Sequence, residues 1–204
     1  DFRSRDVAAG GQGAPLVPAF HQGVFGRAGE TVLALNIGGI SNLSVLGADG
    51  TVQGFDCGPG NALMDHWCQM HTGQAFDRGG GWAAQGQVLP DLLAILLQEP
   101  FLHQPPPKST GRDLFNPAWL AGALAAYSCA RPVDVQATLT ELTASACAVS
   151  VSSYGKNSKT LAVCGGGALN AHLMRRLQAL LPEVSVVPTD DLGLPAMQVE
   201  AAAF

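Results

Sequence analysis

Two short apolar segments of this chain each end in a run of glycines, and this pattern constrains the fold more than any other feature. Residues 33–37 lead into Gly38-Gly39, and residues 160–164 lead into the triple glycine 165–167. Apolar segments of this length bounded by glycine are typical of buried strands. The second one is followed by a helical pattern over residues 170–181 and a further strand at 184–187, which predicts a right-handed parallel crossover. The sequence therefore predicts an α/β fold.

The residues after Gly39 predict a hairpin followed by a helix. Apolar positions alternate from residue 43, Asp49-Gly50 favours a tight turn, and residues 51–55 have the pattern of a return strand. We expect the turn-forming residues within 56–60 to stop that strand. Asn61 is then predicted to cap a helix. The apolar positions of this helix recur at helical spacing and are Leu63, Met64, Trp67 and Met70.

Proline and asparagine punctuate the rest of the chain. Pro15 suits the first turn of a helix that ends near Phe25, and Pro90 begins a short helix within 89–97. The prolines at 105–107 predict a stiff connector into the polar segment 108–116, which we expect to face a cleft or to be a surface loop. Asn116 is predicted to cap the next helix. A longer helix is predicted over residues 132–152, and a final one from Pro195.

Several residues in these loops are candidates for ligand binding. Gly38 and Gly39 would let a phosphate approach backbone amides, although an ordinary glycine turn is equally favoured. Asp56 has the pattern of a residue that bonds its own backbone or faces a substrate. The glycines at 165–167 lack the GxGxxG spacing of a dinucleotide site but could approach a flat ring. Asn170 is more simply a helix cap than a ligand contact.

Composition excludes several classes of function. The chain has 204 residues, of which 47% are hydrophobic and 13% are charged, so it can bury a sizeable core. A net charge of −5 provides no basic field for nucleic acid, and no segment is long and apolar enough to span a membrane. The cysteines have neither CxxC nor zinc-ligand spacing, which favours reduced thiols in a cytoplasmic protein. They are Cys57, Cys68, Cys129, Cys147 and Cys164.

Five motifs together resemble the anhydro-N-acetylmuramic acid kinases, a family within the actin, Hsp70 and sugar-kinase superfamily. The motifs occur in family order along essentially the whole chain. They are RDVAAGGQGAPLVPAFH (5–21), NIGGISNL (36–43), GFDCGPGNALMD (54–65), PPKSTGRDLFN (106–116) and VCGGGALNAHLM (163–174). The resemblance implies a ribonuclease-H-like fold with a mixed sheet flanked by helices, as part of a two-lobed kinase. Residues 1–30 would end the N-terminal lobe and link the lobes, and residues 31–204 would form the C-terminal lobe with inserted helices.

The resemblance also implies a reaction. Enzymes of that family add water across the 1,6-anhydro bond of the amino sugar while ATP phosphorylates O6, giving N-acetylmuramic acid 6-phosphate in peptidoglycan recycling. Asp56 would be the catalytic base, with Gly58, Asn61 and Glu200 near the sugar. The implied cofactors are ATP and Mg²⁺, with no metal-ligand motif in the chain itself. The nucleotide would be bound by two loops, Gly38, Gly39 and Asn42 in one and Gly165, Gly166, Gly167 and Asn170 in the other.

Two departures from the family pattern bear on activity. Cys57 occupies the position where the family motif has threonine, and no counterpart of the family's first phosphate loop, a GTSxDG hairpin, precedes Asp1. Neither end of the chain has the pattern of a natural terminus, so we expect the remainder of the protein to be a necessary partner and the isolated chain to be inactive. A homodimer is one candidate for the oligomeric state.

Other functions remain open from the residues alone. The same fold could serve as a non-catalytic nucleotide-binding module, or as another carbohydrate kinase. An inert α/β segment is the third alternative. Hydrogen bonds from Arg3, Arg5 or Lys108 to the lactyl carboxylate of the sugar are a further hypothesis.

Overall fold

The computed structural model describes Ala8, residues 18–27 and residues 29–199. Within them, five strands form one sheet in the order β3-β2-β1-β4-β5. The strands are β1 (Val32–Ile37), β2 (Ile40–Leu46), β3 (Val52–Pro59), β4 (Thr160–Cys164) and β5 (Ser185–Pro188). The sheet is mixed, because β2 is antiparallel to β1 and β3, whereas β4 is parallel to β1 and β5. The predicted hairpin and the predicted parallel crossover are both confirmed.

Strand direction brings the glycine loops together. Because β3 is antiparallel to β2 and β2 is antiparallel to β1, β3 runs in the same direction as β1 and β4. The carboxyl ends of these three strands therefore lie at one edge of the sheet, where open α/β folds usually bind their ligands. Ile37, Pro59 and Cys164 end the three strands at that edge.

Helices cover both faces of the sheet. They are α1 (Pro18–Phe25), α2 (Ala62–Thr72), α3 (Pro90–Leu96), α4 (Pro117–Ala123), α5 (Pro132–Tyr154) and α6 (Ala171–Leu180). Side chains of β1 alternate between two clusters, as the two-residue period of a strand requires. Leu33, Leu35 and Ile37 pack in the large core that includes α5. Val32 and Ala34 pack with Phe25 of α1 on the opposite face.

The return strand is longer than predicted. We expected it to stop within residues 56–60, but β3 continues to Pro59, so that prediction is wrong. A shift in register between Ser41 and Asn42 of β2 accommodates an extra residue of β3, as in a β-bulge. The Ser41 hydroxyl donates to the carbonyl oxygens of Gly58 (3.1 Å) and Pro59 (3.3 Å). Proline is tolerated there because β3 is an edge strand.

Helix α2 also differs from its prediction. Asn61 occupies the position before the helix, but its side chain makes no capping hydrogen bond. Its Nδ2 instead donates to the carbonyl oxygen of Ile37 at 3.0 Å, which ties α2 to the end of β1. Met70, predicted on the apolar face, is 55% exposed, because α2 turns Leu63, Met64 and Cys68 toward the core.

Other local predictions are confirmed. The side chain of Asn116 accepts a hydrogen bond from the Trp119 amide (2.9 Å) and caps α4. Asn170 does the same for α6 through the Leu173 amide (3.0 Å). Pro90 is the first residue of α3.

Some predictions fall on residues that the structure does not describe. These are the roles given to Arg3, Arg5 and Glu200. The division of the chain at residue 30 also stays a prediction. No helix in the described ranges is both long enough and apolar enough to cross a membrane.

Candidate functional site

A row of polar residues crosses three neighbouring strands at the edge where the glycine loops lie. Asp56 of β3 is paired with Asn42 of β2, and Asn42 is paired with Asn36 of β1. Directly paired residues point to the same face of a sheet, so the three side chains form one row. Ser44, two residues beyond Asn42, bonds His21 of α1 (2.9 Å), which places the row on the α1 face. The role of Asn36 in this row was missed from the sequence, because only the register reveals it.

Asp56 is held by the segment that precedes α4. Its Oδ2 accepts hydrogen bonds from the Thr110 amide (2.8 Å) and the Ser109 hydroxyl (3.1 Å), and its own amide donates to the Lys108 carbonyl (3.1 Å). Asp56 is 4% exposed. The polar segment 108–116 was predicted to face a cleft or to be a surface loop, and the structure places its first residues directly against the candidate base.

Asn42 has an unpaired oxygen beside this carboxylate. Its Oδ1 is buried and has no hydrogen-bond partner among the residues described. A buried acceptor without a partner costs free energy, so such atoms often mark the place of a water or a ligand. The arrangement therefore pairs a carboxylate with an amide oxygen that can accept a hydrogen bond from a bound hydroxyl or water.

Lys108 lies in the interior of the protein. Its Nζ donates to the carbonyl oxygens of Phe101 (3.1 Å) and Leu102 (3.2 Å) and lies 4.7 Å from the centre of the Phe101 ring. Burial lowers the pKa of this ammonium, while the acidic groups of Cys57 and Asp56 act in the opposite direction. These contacts give Lys108 a structural role in holding segment 108–110, and they direct its charge toward backbone carbonyls.

The first glycine loop is fastened to the start of α2. The carbonyl oxygen of Gly38 accepts from the Asn61 amide (2.7 Å), and that of Gly39 accepts from the amides of Gly60 (3.0 Å) and Ala62 (3.2 Å). Amides at a helix start lack partners within the helix, and the loop carbonyls supply them here. The loop and the helix therefore form one unit beside the polar row.

The second glycine loop packs against the end of β1, directly before the first loop. Gly165 has φ +76, and a methyl group added there would meet Asn36 Oδ1 and lie 2.8 Å from the Ile37 carbonyl oxygen. Only glycine combines that backbone conformation with so close an approach. Gly167 is buried against the Ile37 side chain, whereas Gly166 is closest to Asn61.

A cavity of about 450 Å³ opens between the second glycine loop and α2. Three predicted residues, Asn61, Gly166 and Asn170, line it. The lining residues that sequence reasoning missed are Met64, Asp65, Phe76, Asp77, Arg78, Gly79, Leu169 and Met197. Apolar walls with a few polar groups suit a flat aromatic ligand. The only signal in the sequence for Phe76 and Arg78 is that they lie in the glycine-dense segment 73–82.

Asp65 lies between this cavity and a second one. The second cavity, of about 390 Å³, is also lined by His66 and Arg112. Burial raises the pKa of the Asp65 carboxyl to about 6, although the charge of Arg112 acts to lower it. Neither cavity is lined by Asp56 or Gly58. Gly58 is buried, and a methyl group added there would meet Leu102 (2.6 Å) and Ala146 (3.4 Å), so it serves packing.

A metal site built from the protein alone is not found in the described ranges. They contain no group of three or more His, Cys, Asp or Glu side chains that could hold an ion. The described residues thus do not fit a metal centre of their own, and no chemical step is assigned to an ion.

Comparison with known proteins relates the whole chain to one family. The family model described as anhydro-N-acetylmuramic acid kinase matches residues 1–204. A protein of that name from Variovorax paradoxus is 67% identical over 209 residues, covering 100% of this chain and 56% of the relative. Another, from Albidiferax ferrireducens, is 60% identical and covers 100% of this chain and 58% of the relative. The chain spans a little over half the length of these curated relatives.

The solved structures show a similarity of fold. The activator of the 2-hydroxyisocaproyl-CoA dehydratase from Clostridium difficile, with bound ADPNP, aligns with a TM-score of 0.54 and 11% identity, covering 90% of this chain and 60% of that chain. Together with the mixed five-stranded sheet, this likeness confirms the predicted fold class.

Proposed function

Because this chain belongs to the anhydro-N-acetylmuramic acid kinase family, we propose that it carries the base and much of the nucleotide surface of an enzyme that opens 1,6-anhydro-N-acetylmuramic acid and phosphorylates O6. The observation that carries the proposal is the row of Asp56, Asn42 and Asn36 beside two glycine loops. The Asp56 carboxylate lies near the carboxyl end of β3. This end is at the same edge of the sheet as the two glycine loops that are assigned to the nucleotide.

The proposed reaction joins two bond changes. The oxygen of a water molecule bonds to the anomeric carbon as the bond from that carbon to O6 breaks, and Asp56 accepts one proton of the water. O6 bonds to the terminal phosphorus of ATP as the bond from that phosphorus to the bridging oxygen of ADP breaks. The sum is sugar, water and ATP giving sugar 6-phosphate, ADP and a proton.

Asn42 supports the role of Asp56 as the base. Its Oδ1 is buried, has no partner among the described residues and lies on the strand that pairs with Asp56. It can therefore accept a hydrogen bond from the second O–H group of the attacking water. Two acceptors on one water would fix its orientation toward the anomeric carbon, and orientation of this kind lowers the barrier of a bimolecular step.

The adenine ring of ATP is assigned to the 450 Å³ cavity. Apolar side chains of Met64, Phe76 and Leu169 would contact the faces of the ring, and Gly166 would allow the backbone to approach it closely. The phosphates would extend toward Gly38 and Gly39, which lie next to the polar row. Mg²⁺ remains a proposed cofactor that accompanies ATP, and peptidoglycan recycling in the cytoplasm is the proposed setting.

Oxygen-18 water tests the proposal. The full-length protein, including any residues beyond this chain, is incubated with ATP, Mg²⁺ and 1,6-anhydro-N-acetylmuramic acid, and the product is followed by mass spectrometry. We expect a phosphorylated sugar that carries one heavy oxygen. Unlabelled N-acetylmuramic acid 6-phosphate in the same water, for the same time, measures exchange at the anomeric carbon.

The variants Asp56→Asn and Asp91→Asn separate the base from other carboxylates. Asp91 is exposed in the first turn of α3 and lines neither cavity, so its variant should keep full activity. Asp56→Asn should reduce kcat by roughly 10²- to 10⁴-fold. If the wild-type protein releases ADP but forms no sugar phosphate, this result would instead favour a nucleotide-binding module or another carbohydrate kinase.

A further inference from the structure

Arg112 lies directly on the first glycine loop. A methyl group built on Gly39 would be 3.1 Å from Nη2 and 3.2 Å from Nε of Arg112. The side-on edge of the guanidinium, which carries these two donors, therefore packs against the backbone of the loop. A methyl group at Gly39 would push the guanidinium a few tenths of an ångström away from the loop.

The charge of Arg112 is not used by an ion pair in the described part of the chain. The ion pairs found there are Arg27–Glu30, Arg131–Asp134 and Arg176–Glu141. Burial raises the pKa of the Asp65 carboxyl, and this effect is larger than the lowering by the charge of Arg112. Arg112 is exposed and lines the 390 Å³ cavity beside the start of α2, so its guanidinium is accessible to an anion.

The same segment also holds the candidate base. Ser109 and Thr110 bond the Asp56 carboxylate, and Arg112 follows two residues later. Segment 109–112 thus contacts both the base and the glycine loop assigned to phosphate. A ligand that fixed Arg112 would also restrain the groups that orient Asp56.

We propose that Arg112 binds the terminal phosphoryl group of the nucleotide at Gly39 and stabilises its transfer. This role rests on the proposed function; Arg112 lies within the family motif 106–116, which the sequence alone did not connect with the nucleotide. The guanidinium donates two hydrogen bonds to non-bridging oxygens, a geometry that planar arginine provides and lysine does not. The Arg112 guanidinium is not protonated or deprotonated in this step. The phosphorus loses its bond to ADP and forms the bond to O6. The guanidinium neutralises charge that spreads over the phosphoryl oxygens.

The variants Arg112→Gln and Arg112→Lys in the full-length protein test this role. We expect kcat to fall on the order of 100-fold or more for Arg112→Gln, with only partial rescue by lysine and a nearly unchanged KM for the sugar. Arg175→Gln is the matched control, because Arg175 is an exposed arginine on α6 that lines neither cavity.

Nucleotide binding provides a readout that does not depend on turnover. Affinities for ADP and for a non-hydrolysable ATP analogue are measured by calorimetry for each variant. Arg112→Gln should weaken the ATP analogue by roughly 10-fold and leave ADP nearly unchanged, because only the analogue has the terminal group. Gly39→Ala should give the same pattern more weakly, since its methyl group would displace the guanidinium by a few tenths of an ångström.

The two proposals fail in distinguishable ways. If Arg112→Gln keeps wild-type kcat and binds both nucleotides as the wild type does, the role of Arg112 is overturned even though the sugar is phosphorylated. If the wild type phosphorylates no anhydro sugar but Arg112→Gln still loses its preference for the analogue, the phosphate contact stands and the proposed reaction fails.

Discussion

Asp56 lies directly opposite Asn42 in the register of β2 and β3, one residue from the irregularity in that pairing. The amide oxygen of Asn42 is buried and has no hydrogen-bond partner among the described residues, while the carboxylate is held by Ser109 and Thr110. A carboxylate with one fixed orientation thus faces an acceptor that is still available. This relationship depends on the bulge, because a one-residue slip would turn the two side chains to opposite faces.

Replacing Asn42 by aspartate should impair catalysis. Two carboxylates across one strand pair repel each other, so one of them would retain a proton at neutral pH. We expect kcat/KM to fall by about 100-fold or more. Asn157→Asp, at an exposed turn, is the control and should retain full activity. Unchanged kinetics in Asn42→Asp would remove Asn42 from the site.

Asp65 should make stability depend on pH. Its pKa is raised by burial from the ordinary 3.8 to about 6, so the folded protein binds more protons than the unfolded chain between these values. The carboxyl therefore destabilises the fold as pH rises through this window. Asp65→Asn should raise the free energy of unfolding by about 1 kcal/mol at pH 8, after allowance for solvent screening, and by almost nothing near pH 4.

Urea unfolding at several pH values checks this prediction. Asp91→Asn, in an exposed helix turn, should show no such pH-dependent difference from the wild type. If the free energy of unfolding of Asp65→Asn differs from that of the wild type by the same amount at pH 4.5 and pH 8, burial of the Asp65 carboxyl is not the cause of the difference.

Gly165→Ala should be much more damaging than Gly193→Ala. Both glycines have positive φ, +76 and +87, so alanine strains the backbone at each. Only at Gly165 would the methyl group also collide with Asn36 and the Ile37 carbonyl, since nothing lies within 4 Å of it at Gly193. Thermal or urea unfolding should show a loss of about 1 kcal/mol for Gly193→Ala and at least twice that for Gly165→Ala. Equal losses would exclude a steric contribution.

Thiol reagents should modify a single cysteine rapidly in the native protein. Cys129 is exposed, whereas the other four cysteines are buried. Burial also raises the pKa of the Cys57 thiol well above its usual range, so little thiolate forms there. We expect one fast equivalent with a disulfide reagent, and none in Cys129→Ser. Fast labelling of Cys57 would contradict its burial in the core beside Cys147 of α5.

Activity of the isolated 204 residues is expected to be absent. The chain covers 56% and 58% of the two relatives described above, and the resemblance implies a first phosphate loop that this sequence lacks. The sugar phosphorylation assay applied to this chain alone should give no turnover. Measurable product from it would show that the described loops suffice for catalysis.

The sequence by itself determined the elements whose causes are local. Asp49-Gly50 specifies the hairpin, Asn116 and Asn170 specify helix starts, and the spacing of β4, α6 and β5 specifies a parallel crossover. Each of these depends on residues within a few positions of one another, so a single sequence contains the information. The motifs also identified Asp56 and the glycine loops as candidates, and their roles stay predictions.

Only the tertiary structure decided how these elements meet. The bulge that extends β3 past Asp56, the contact of Asn61 with Ile37 and the burial of Lys108 against Phe101 each join distant segments or depend on sheet register. The same holds for Asn36 in the polar row and for Arg112 on Gly39. Local propensity does not specify register or long-range packing, because many arrangements satisfy the same hydrophobic pattern until the whole core closes.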